Sequence, residues 1–445
     1  MELAAATVYQ ASVSLMSHRI VIRAAVQTVL AAVYRVGSID YAWQLMGTGI
    51  VISKVESGTG EERDFIALPH RIYAGCEYYV PWFDASMRAI IARRHPYFEH
   101  SDAQFFLARR GSTPVGRIAM LEPGRFNEVH GTREARFYFL ETIDDQAVAD
   151  ALFVHADGWA RNRGLTELVG PQGFSSFAGA GVLIHGYDRT ASMTMMPYHH
   201  PYYRTLVEAA GFEKLRDFLS PYLEAGRHDL APEYVRLAEI AMKRGRFHVP
   251  VYRTKRRLRA LAEEFREAYN DAWSEREVFT PITESEMKHM VDELLLVSRP
   301  SLIRVLRSGE ELAGFVLAFP DLSRVMQKAR GRINALTYLR LLVAKYTARR
   351  FIINGFGLRH RYRKAGGTAL LFREITRVLK DFHAQGAEMT QIADDNDLMM
   401  ANVKRLKADI VKTHRVYRRP VPRTVPRTVP RAAVTENDTL AARDS

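Results

Sequence analysis

The stretch that most constrains this chain runs from residue 352 to 419, where an apolar strand, a basic glycine turn and an amphipathic helix precede a second strand, helix and strand. The turn reads Arg361-Tyr362-Arg363-Lys364-Ala365-Gly366-Gly367-Thr368 and leads into Ala369-Leu370-Leu371-Phe372. Phe351-Ile352-Ile353 lies before it, and the helix after it extends to about Phe382. Backbone N–H groups at a helix start have no partner within the helix, and the helix dipole favours negative charge there. Glycine removes the Cβ atoms that would hold a phosphate away from those amides. The expectation is an α/β unit with a basic, phosphate-binding helix start, and Arg363, Lys364, Gly366, Gly367 and Thr368 are its candidate binding residues.

At 445 residues the chain exceeds one ordinary core, so two domains of about 150–200 residues are expected. The single cysteine, Cys76, excludes an intramolecular disulfide and a multi-cysteine metal site, and it fits a reducing compartment. Its surroundings, Gly75 to Tyr79, carry no nucleophile signature. The net charge of +13 is unevenly spread. No acidic residue falls between Asp321 and Glu374 whereas thirteen Lys and Arg do, and Lys412 to Arg431 adds seven more without an acid. Such a field attracts polyanions: a phosphorylated cofactor, nucleic acid or an anionic membrane leaflet. No zinc finger, RNP-like aromatic motif or helix-turn-helix supports nucleic acid.

Residues 1–45 read as a detached N-terminal extension. Its apolar run from Ala24 to Tyr34 is too short to span a bilayer, and it has no signal-peptide cleavage pattern. It is either an amphipathic segment or an over-extended start, since Met46 directly precedes the first strand, Gly49 to Val55. A first domain covers 46–223, with a hairpin of Asp102–Arg109 and Pro114–Leu121 around Gly111, a strand Ala135–Leu140, a helix Gln146–Arg163 and a strand Leu165–Gly170. A linker and connecting helix occupy 224–257. The second domain, 258–420, repeats that order: helices Leu258–Trp273 and Glu284–Leu296, a hairpin of Ser301–Leu306 and Leu312–Phe319, then the glycine-turn unit. Met389–Ala393, a helix to Lys407 and a last strand near Thr413–Arg418 complete it. The tail, 421–445, repeats Val-Pro-Arg-Thr and reads as extended and mobile.

Particular short motifs accompany this order. The first half carries Val80-Pro81-Trp82, His95-Pro96-Tyr97-Phe98-Glu99-His100, Phe137-Tyr138-Phe139-Leu140-Glu141, Met195-Met196-Pro197-Tyr198 and Pro201-Tyr202-Tyr203. The second carries Asp271-Ala272-Trp273, Leu317-Ala318-Phe319-Pro320-Asp321-Leu322, the Arg-x-x-Gly-x-small turn and Tyr417-Arg418-Arg419-Pro420. Over residues 50–420 the chain resembles the bacterial YghO-like proteins, tandem GNAT-like acyltransferases that include bacterial ceramide synthases. The resemblance implies an α/β fold of two tandem GNAT-like domains, each a mixed sheet flanked by helices. It implies an N-acyltransferase that moves a fatty acyl group from acyl-CoA to an amine, with a long-chain sphingoid base as the amine, and no metal. Arg363, Lys364, Gly366, Gly367 and Thr368 then hold the CoA pyrophosphate. A cytoplasmic location, peripheral to the inner membrane, goes with it.

Such an enzyme needs amides for the pyrophosphate, a base for the ammonium and an acid for the departing thiolate. Neither half supplies all three. Thr368 stands where a second Gly or Ala is usual, and Val403 stands where many acetyltransferases have a tyrosine. The first half has Gly170-Pro171-Gln172-Gly173-Phe174-Ser175-Ser176 in place of the turn. A site shared by both halves is one reading, with Glu99 and His100 as an acid/base pair between aromatics, His199 as a base and Tyr203 as an acid. Adjacent His199 and His200, where the family has Asn and Pro, cannot face one metal as helical i,i+4 ligands would. An acyltransferase with a soluble amine substrate, and a non-catalytic pair that binds acyl-CoA or a membrane, remain open. Ile333 to Tyr346, apolar and bracketed by basic residues, reads as an interfacial helix, an acyl-chain cover or a core helix.

Overall fold

Gly111, at φ +60°, and Gly309, at φ +58°, sit at the corners of two hairpins that occupy equivalent places in the two halves of the chain. The computed structural model describes residues 49–175, 178–227, 230–276 and 279–423. The N-terminal extension through residue 45 and the tail beyond residue 423 lie outside them. Val51–Val421 form one compact unit.

The strands of the first half are β1 (Ile50–Val55), β2 (Asp102–Arg110), β3 (Thr113–Glu122), β4 (Glu134–Thr142), β5 (Glu167–Gly170), β6 (Val182–His185) and β7 (Glu213–Glu224). The second half has β8 (Ile303–Ser308), β9 (Glu311–Pro320), β10 (Arg350–Leu358), β11 (Gly386–Met389), β12 (Ile392–Ala393) and β13 (Asp409–Pro420). In each half, two helices precede the hairpin: Gly60–Ile72 and Asp84–Ile91, then Ala262–Trp273 and Glu284–Val297. A helix links the parallel strands (Gln146–Arg161, Gly367–Asp381), and a short one leads into the last strand (Tyr202–Ala209, Asp397–Arg405). The order expected from the sequence therefore repeats. The strands β3 and β9 are buried almost end to end, as strands covered on both faces must be.

Among the described residues, four helices have no counterpart in the sequence reading: Gly60–Ile72, Asp84–Ile91, Gly124–His130 and Ser323–Ala329. Gly60–Ile72 starts at Thr59, whose hydroxyl accepts the Glu62 N–H at 3.3 Å, and it carries Pro69 near its end; Asp84–Ile91 is only two turns long. The expected helix Leu258–Trp273 divides into Lys255–Arg259 and Ala262–Trp273 at a non-helical Leu261. The expected strand Met389–Ala393 breaks at Gln391, where φ is +58°.

All thirteen strands belong to one sheet, ordered β1-β2-β3-β4-β5-β13-β7-β11-β10-β9-β8, with β12 on β7 and β6 on β13. The last strands of the two halves have exchanged places. β13 pairs with β5 of the first half, Tyr417 opposite Gly170, while β7 pairs with β11 of the second, Gly386 opposite Glu224. Segment 224–257 therefore connects two halves of a continuous sheet. Buried Lys412 secures the exchange: its Nζ lies 2.9 Å from Glu388 Oε1 and 2.5 Å from Ser192 Oγ. Arg415 adds a bidentate pair with Asp217, at 2.8 and 3.0 Å.

The two parallel pairs stay together only briefly. β4 and β5 pair over Glu134–Arg136, and β10 and β11 over Arg350–Ile353, before each pair diverges. Beyond the first pair, the Gln172 N–H still donates to the Phe137 carbonyl at 2.9 Å, and Phe174 is buried against Tyr97, Phe105, Tyr138 and Phe139. The second opening is a cleft.

Candidate active site

The cleft at the second opening has a volume of about 520 Å³. Phe356 and Leu358 of β10, Trp273 and Met399 form its apolar walls, and Thr368 marks the start of the helix Gly367–Asp381. That helix start carries no side-chain cap, so its amides are available to an acceptor. Three guanidinium groups, those of Arg216, Arg276 and Arg363, also line the cleft. Burial lowers the pKa of Arg276, partly offset by Asp395. Arg216 Nε lies 2.9 Å from Asp395 Oδ2. Arg363 donates to Glu275 Oε2 at 2.8 Å and to the Ala272 carbonyl at 2.6 Å. The lining thus combines guanidinium and carboxylate groups with apolar side chains.

The glycines of the turn answer to packing. Gly366 has φ +87°, and a Cβ there would stand 2.9 Å from Ala241 Cβ on the connecting helix Pro232–Lys243. A Cβ on Gly367 would meet Leu358 Cδ1 at 2.9 Å. The space a Cβ would take at both glycines is occupied by protein, so packing by itself requires glycine at these two positions. Among the described side chains of the turn, Arg363 and Thr368 line the cleft; the Lys364 side chain lies outside the described residues.

The four acid/base candidates fall in two other places. Glu99 is exposed on a 3-10 turn and accepts the Ser285 hydroxyl at 2.6 Å. His100 contacts Ser101 Oγ at 2.8 Å and Glu286 Oε1 at 3.1 Å. Glu286 also closes the capping box at Thr283, so this pair joins the first half to the helix Glu284–Val297. His199 and Tyr203 do come together, with ring centroids 5.2 Å apart. His199 is buried, Nδ1 accepts the Leu183 N–H at 3.2 Å, and burial, helped by His200, lowers its pKa to about 3.

Tyr203 is 0% exposed and belongs to a network centred on Glu141. The Tyr73 and Tyr203 hydroxyls donate to Glu141 Oε2 at 2.7 and 3.0 Å, and Arg117 Nη2 lies 3.8 Å from Oε1. Burial pushes the Glu141 carboxyl up, against the pull of Arg117 and the two phenols. Burial also raises the pKa of Tyr203 well above the ordinary phenol value, with the Glu141 charge adding to it. This network holds the end of β4, since the Thr142 N–H donates to the Tyr203 hydroxyl at 2.9 Å. Sequence reading did not find Arg216, Arg276, Tyr73 or Arg117; each is an isolated residue outside any motif, and only the topology assembles them. Arg216, on β7, is the first-half residue that lines the cleft. Val403 is buried in the core of the second half.

The tandem α/β repeat, the parting parallel strands and the helix start at the cleft define a tandem GNAT acyltransferase. No family model matches the chain. It is 31% identical over 286 residues to a bacterial ceramide synthase of Caulobacter vibrioides, covering 63% of this chain and 73% of that protein. It is 23% identical over 365 residues to protein YghO of Escherichia coli, covering 80% of this chain and 92% of that one. The chain belongs to the YghO-like tandem GNAT family. Among solved structures, a tandem GNAT protein from the clavulanic acid biosynthesis pathway matches with a TM-score of 0.51 at 14% identity, covering 84% of this chain and 99% of that one.

Proposed function

We propose that the protein transfers a fatty acyl group from acyl-CoA to the primary amine of a long-chain base, in the cleft of the second half. The observation that carries this reading is the mixed lining of the cleft, which brings three arginines and an uncapped helix start together with the apolar side chains of Phe356, Leu358 and Met399. The pyrophosphate would sit on the helix start and Arg363. The edge of β10 released beyond Ile353 would supply amides for the thioester oxygen as it gains charge. The neutral amine attacks the carbonyl carbon, the C–N bond forms, the C–S bond breaks, and the N–H proton lost as the amide forms passes to the departing sulfur, which leaves as the CoA thiol. Glu275, Asp395 and Asp397 are carboxylates at the cleft wall, and Asp395, paired with Arg216, is the proposed acceptor of the ammonium proton. In this reading Glu99, His100, His199 and Tyr203 serve the fold. The long-chain amine is supported by the likeness to a bacterial ceramide synthase.

Incubation with palmitoyl-CoA and a panel of amines, following free thiol and analysing products by mass spectrometry, tests this. An amide on a sphingoid base is expected, and Asp395→Asn is expected to lower kcat by about 10²-fold or more. Thiol release with small polar amines alone would overturn the substrate, and none with any amine would overturn the reaction.

A further inference from the structure

The helix Ala335–Thr347 is built inside out. An ordinary surface helix turns its apolar stripe to the core and its polar face to water. Here the buried side chains are Thr337 and Lys345. Lys345 Nζ donates to the carbonyls of Leu295 (3.3 Å) and Leu296 (2.9 Å), in the last turn of the helix Glu284–Val297. Leu336, Tyr338, Leu339, Leu342, Val343 and Tyr346 meanwhile leave between 45% and 66% of their surface in solvent. Leu296, whose carbonyl receives Lys345, is 72% exposed and extends the patch. A polar handle thus fastens the helix to the body beside the partly buried Leu341 and Ala344, and most of its large apolar side chains lie in solvent.

Charge decides what covers this face. Arg332, Arg340, Arg349 and Arg350 are exposed before, within and after the helix, and no acid occurs between Asp321 and Glu374. A second copy of the chain would bring the same arginines against these ones, in a protein of net charge +13. An anionic lipid surface complements both features: apolar side chains enter the headgroup boundary, tyrosines sit at its level, and arginines meet phosphates. At 1.5 Å per residue the helix is about 20 Å long, too short to cross a bilayer, and no helix among the described residues is long and apolar enough to do so. It lies in the plane.

We propose that the Ala335–Thr347 face docks the protein on anionic membranes. The docking stands independently of the acyl-transfer reading, and would deliver a lipid amine where that reading needs one.

Flotation of the full chain with phosphatidylglycerol-containing vesicles and with pure phosphatidylcholine vesicles tests it. Wild type is expected to float with the anionic vesicles and to be released by salt. Leu339→Glu/Leu342→Glu is expected to lower vesicle affinity at least about tenfold, with an unchanged melting temperature. Arg340→Glu/Arg349→Glu is expected to lose the preference for anionic vesicles, also by at least about tenfold. Unaltered flotation of the double leucine variant would overturn the proposal by placing the contact elsewhere, the N-terminal extension included. A wild-type dimer in light scattering that those leucine changes dissociate, without vesicle binding, would overturn it in favour of a second copy. Flotation reads no chemistry, so an inactive protein that docks refutes only the proposed reaction.

Discussion

Arg363 Nη1 lies 2.8 Å from Glu275 Oε2 across the mouth of the cleft, so the guanidinium proposed for the CoA pyrophosphate already has an anionic partner. Glu275 is exposed, and an exposed ion pair holds its partners weakly, at about 0–1 kcal/mol. An arriving pyrophosphate offers a bidentate, doubly charged alternative, so the exchange favours the ligand. Arg363→Ala is expected to raise KM for acyl-CoA about tenfold or more, and Glu275→Gln to lower it by about two- to threefold, the value of a weak competing pair. Steady-state kinetics over acyl-CoA concentration decides it; an unchanged KM in Arg363→Ala would remove this arginine from the phosphate site.

The Glu141 network makes a prediction about stability. Removing the carboxylate strands the Arg117 guanidinium, which is buried over the Phe65 ring at 4.7 Å, and takes the Glu141 acceptor from the Tyr73 hydroxyl, while the Tyr203 hydroxyl keeps the Thr142 carbonyl at 3.1 Å. Breaking a buried pair by deleting one partner costs about 3–5 kcal/mol, whereas deleting one hydroxyl donor to a charged group costs about 1.5–3 kcal/mol. Denaturant titration should therefore rank Glu141→Ala well below Tyr73→Phe and Tyr203→Phe. Equal losses in all three would mean that Arg117 finds another anion.

Acid should destabilise this fold before its carboxylates protonate. Burial holds His199 and His414 neutral, with pKa values lowered to about 3; His414 Nε2 donates to the Pro197 carbonyl at 2.8 Å. The unfolded chain takes up a proton at each near pH 6.5, while the folded chain does so only near pH 3. Stability is thus fully present above about pH 6.5 and lost as pH falls through that window, by up to about 1.4 kcal/mol per pH unit for each histidine. Unfolding free energies between pH 7 and 5 should show this slope, and His414→Gln, which keeps a donor for Pro197, should show a shallower one. A variant slope as steep as wild type would acquit His414.

Local chemistry made much of this legible. The glycine corners, the apolar runs of the hairpins and the repeated element order depend on neighbours in sequence, and they appear where the pattern puts them. The exchange of β7 and β13 does not: Tyr417 of the second half pairs with Gly170 of the first, and no local pattern encodes such a partner. The helix Gly60–Ile72 was obscured by Pro69, and the cleft's Arg216 and Arg276 by having no motif around them. The Glu99-His100 pair shows the opposite error. Its aromatic neighbours suggested burial, but they pack into the core behind it, and the carboxylate faces solvent beside Ser285.

The aromatic cluster around Phe174 gives a test of which half holds the acyl donor. Phe174 is buried among Tyr97, Phe105, Tyr138 and Phe139 in the core of the first half, a short way along the chain from the end of β5. Phe174→Ala should cost about 3–5 kcal/mol of stability, the usual loss for emptying a phenylalanine site. If acyl-CoA binds only at the second opening, KM for acyl-CoA should stay within about twofold of wild type at a temperature where the variant is folded, since nothing at the Arg363 cleft has changed. A lowered KM, or a new tolerance for longer acyl chains, would mean instead that the first opening receives part of the chain, and that Phe174 sets its length.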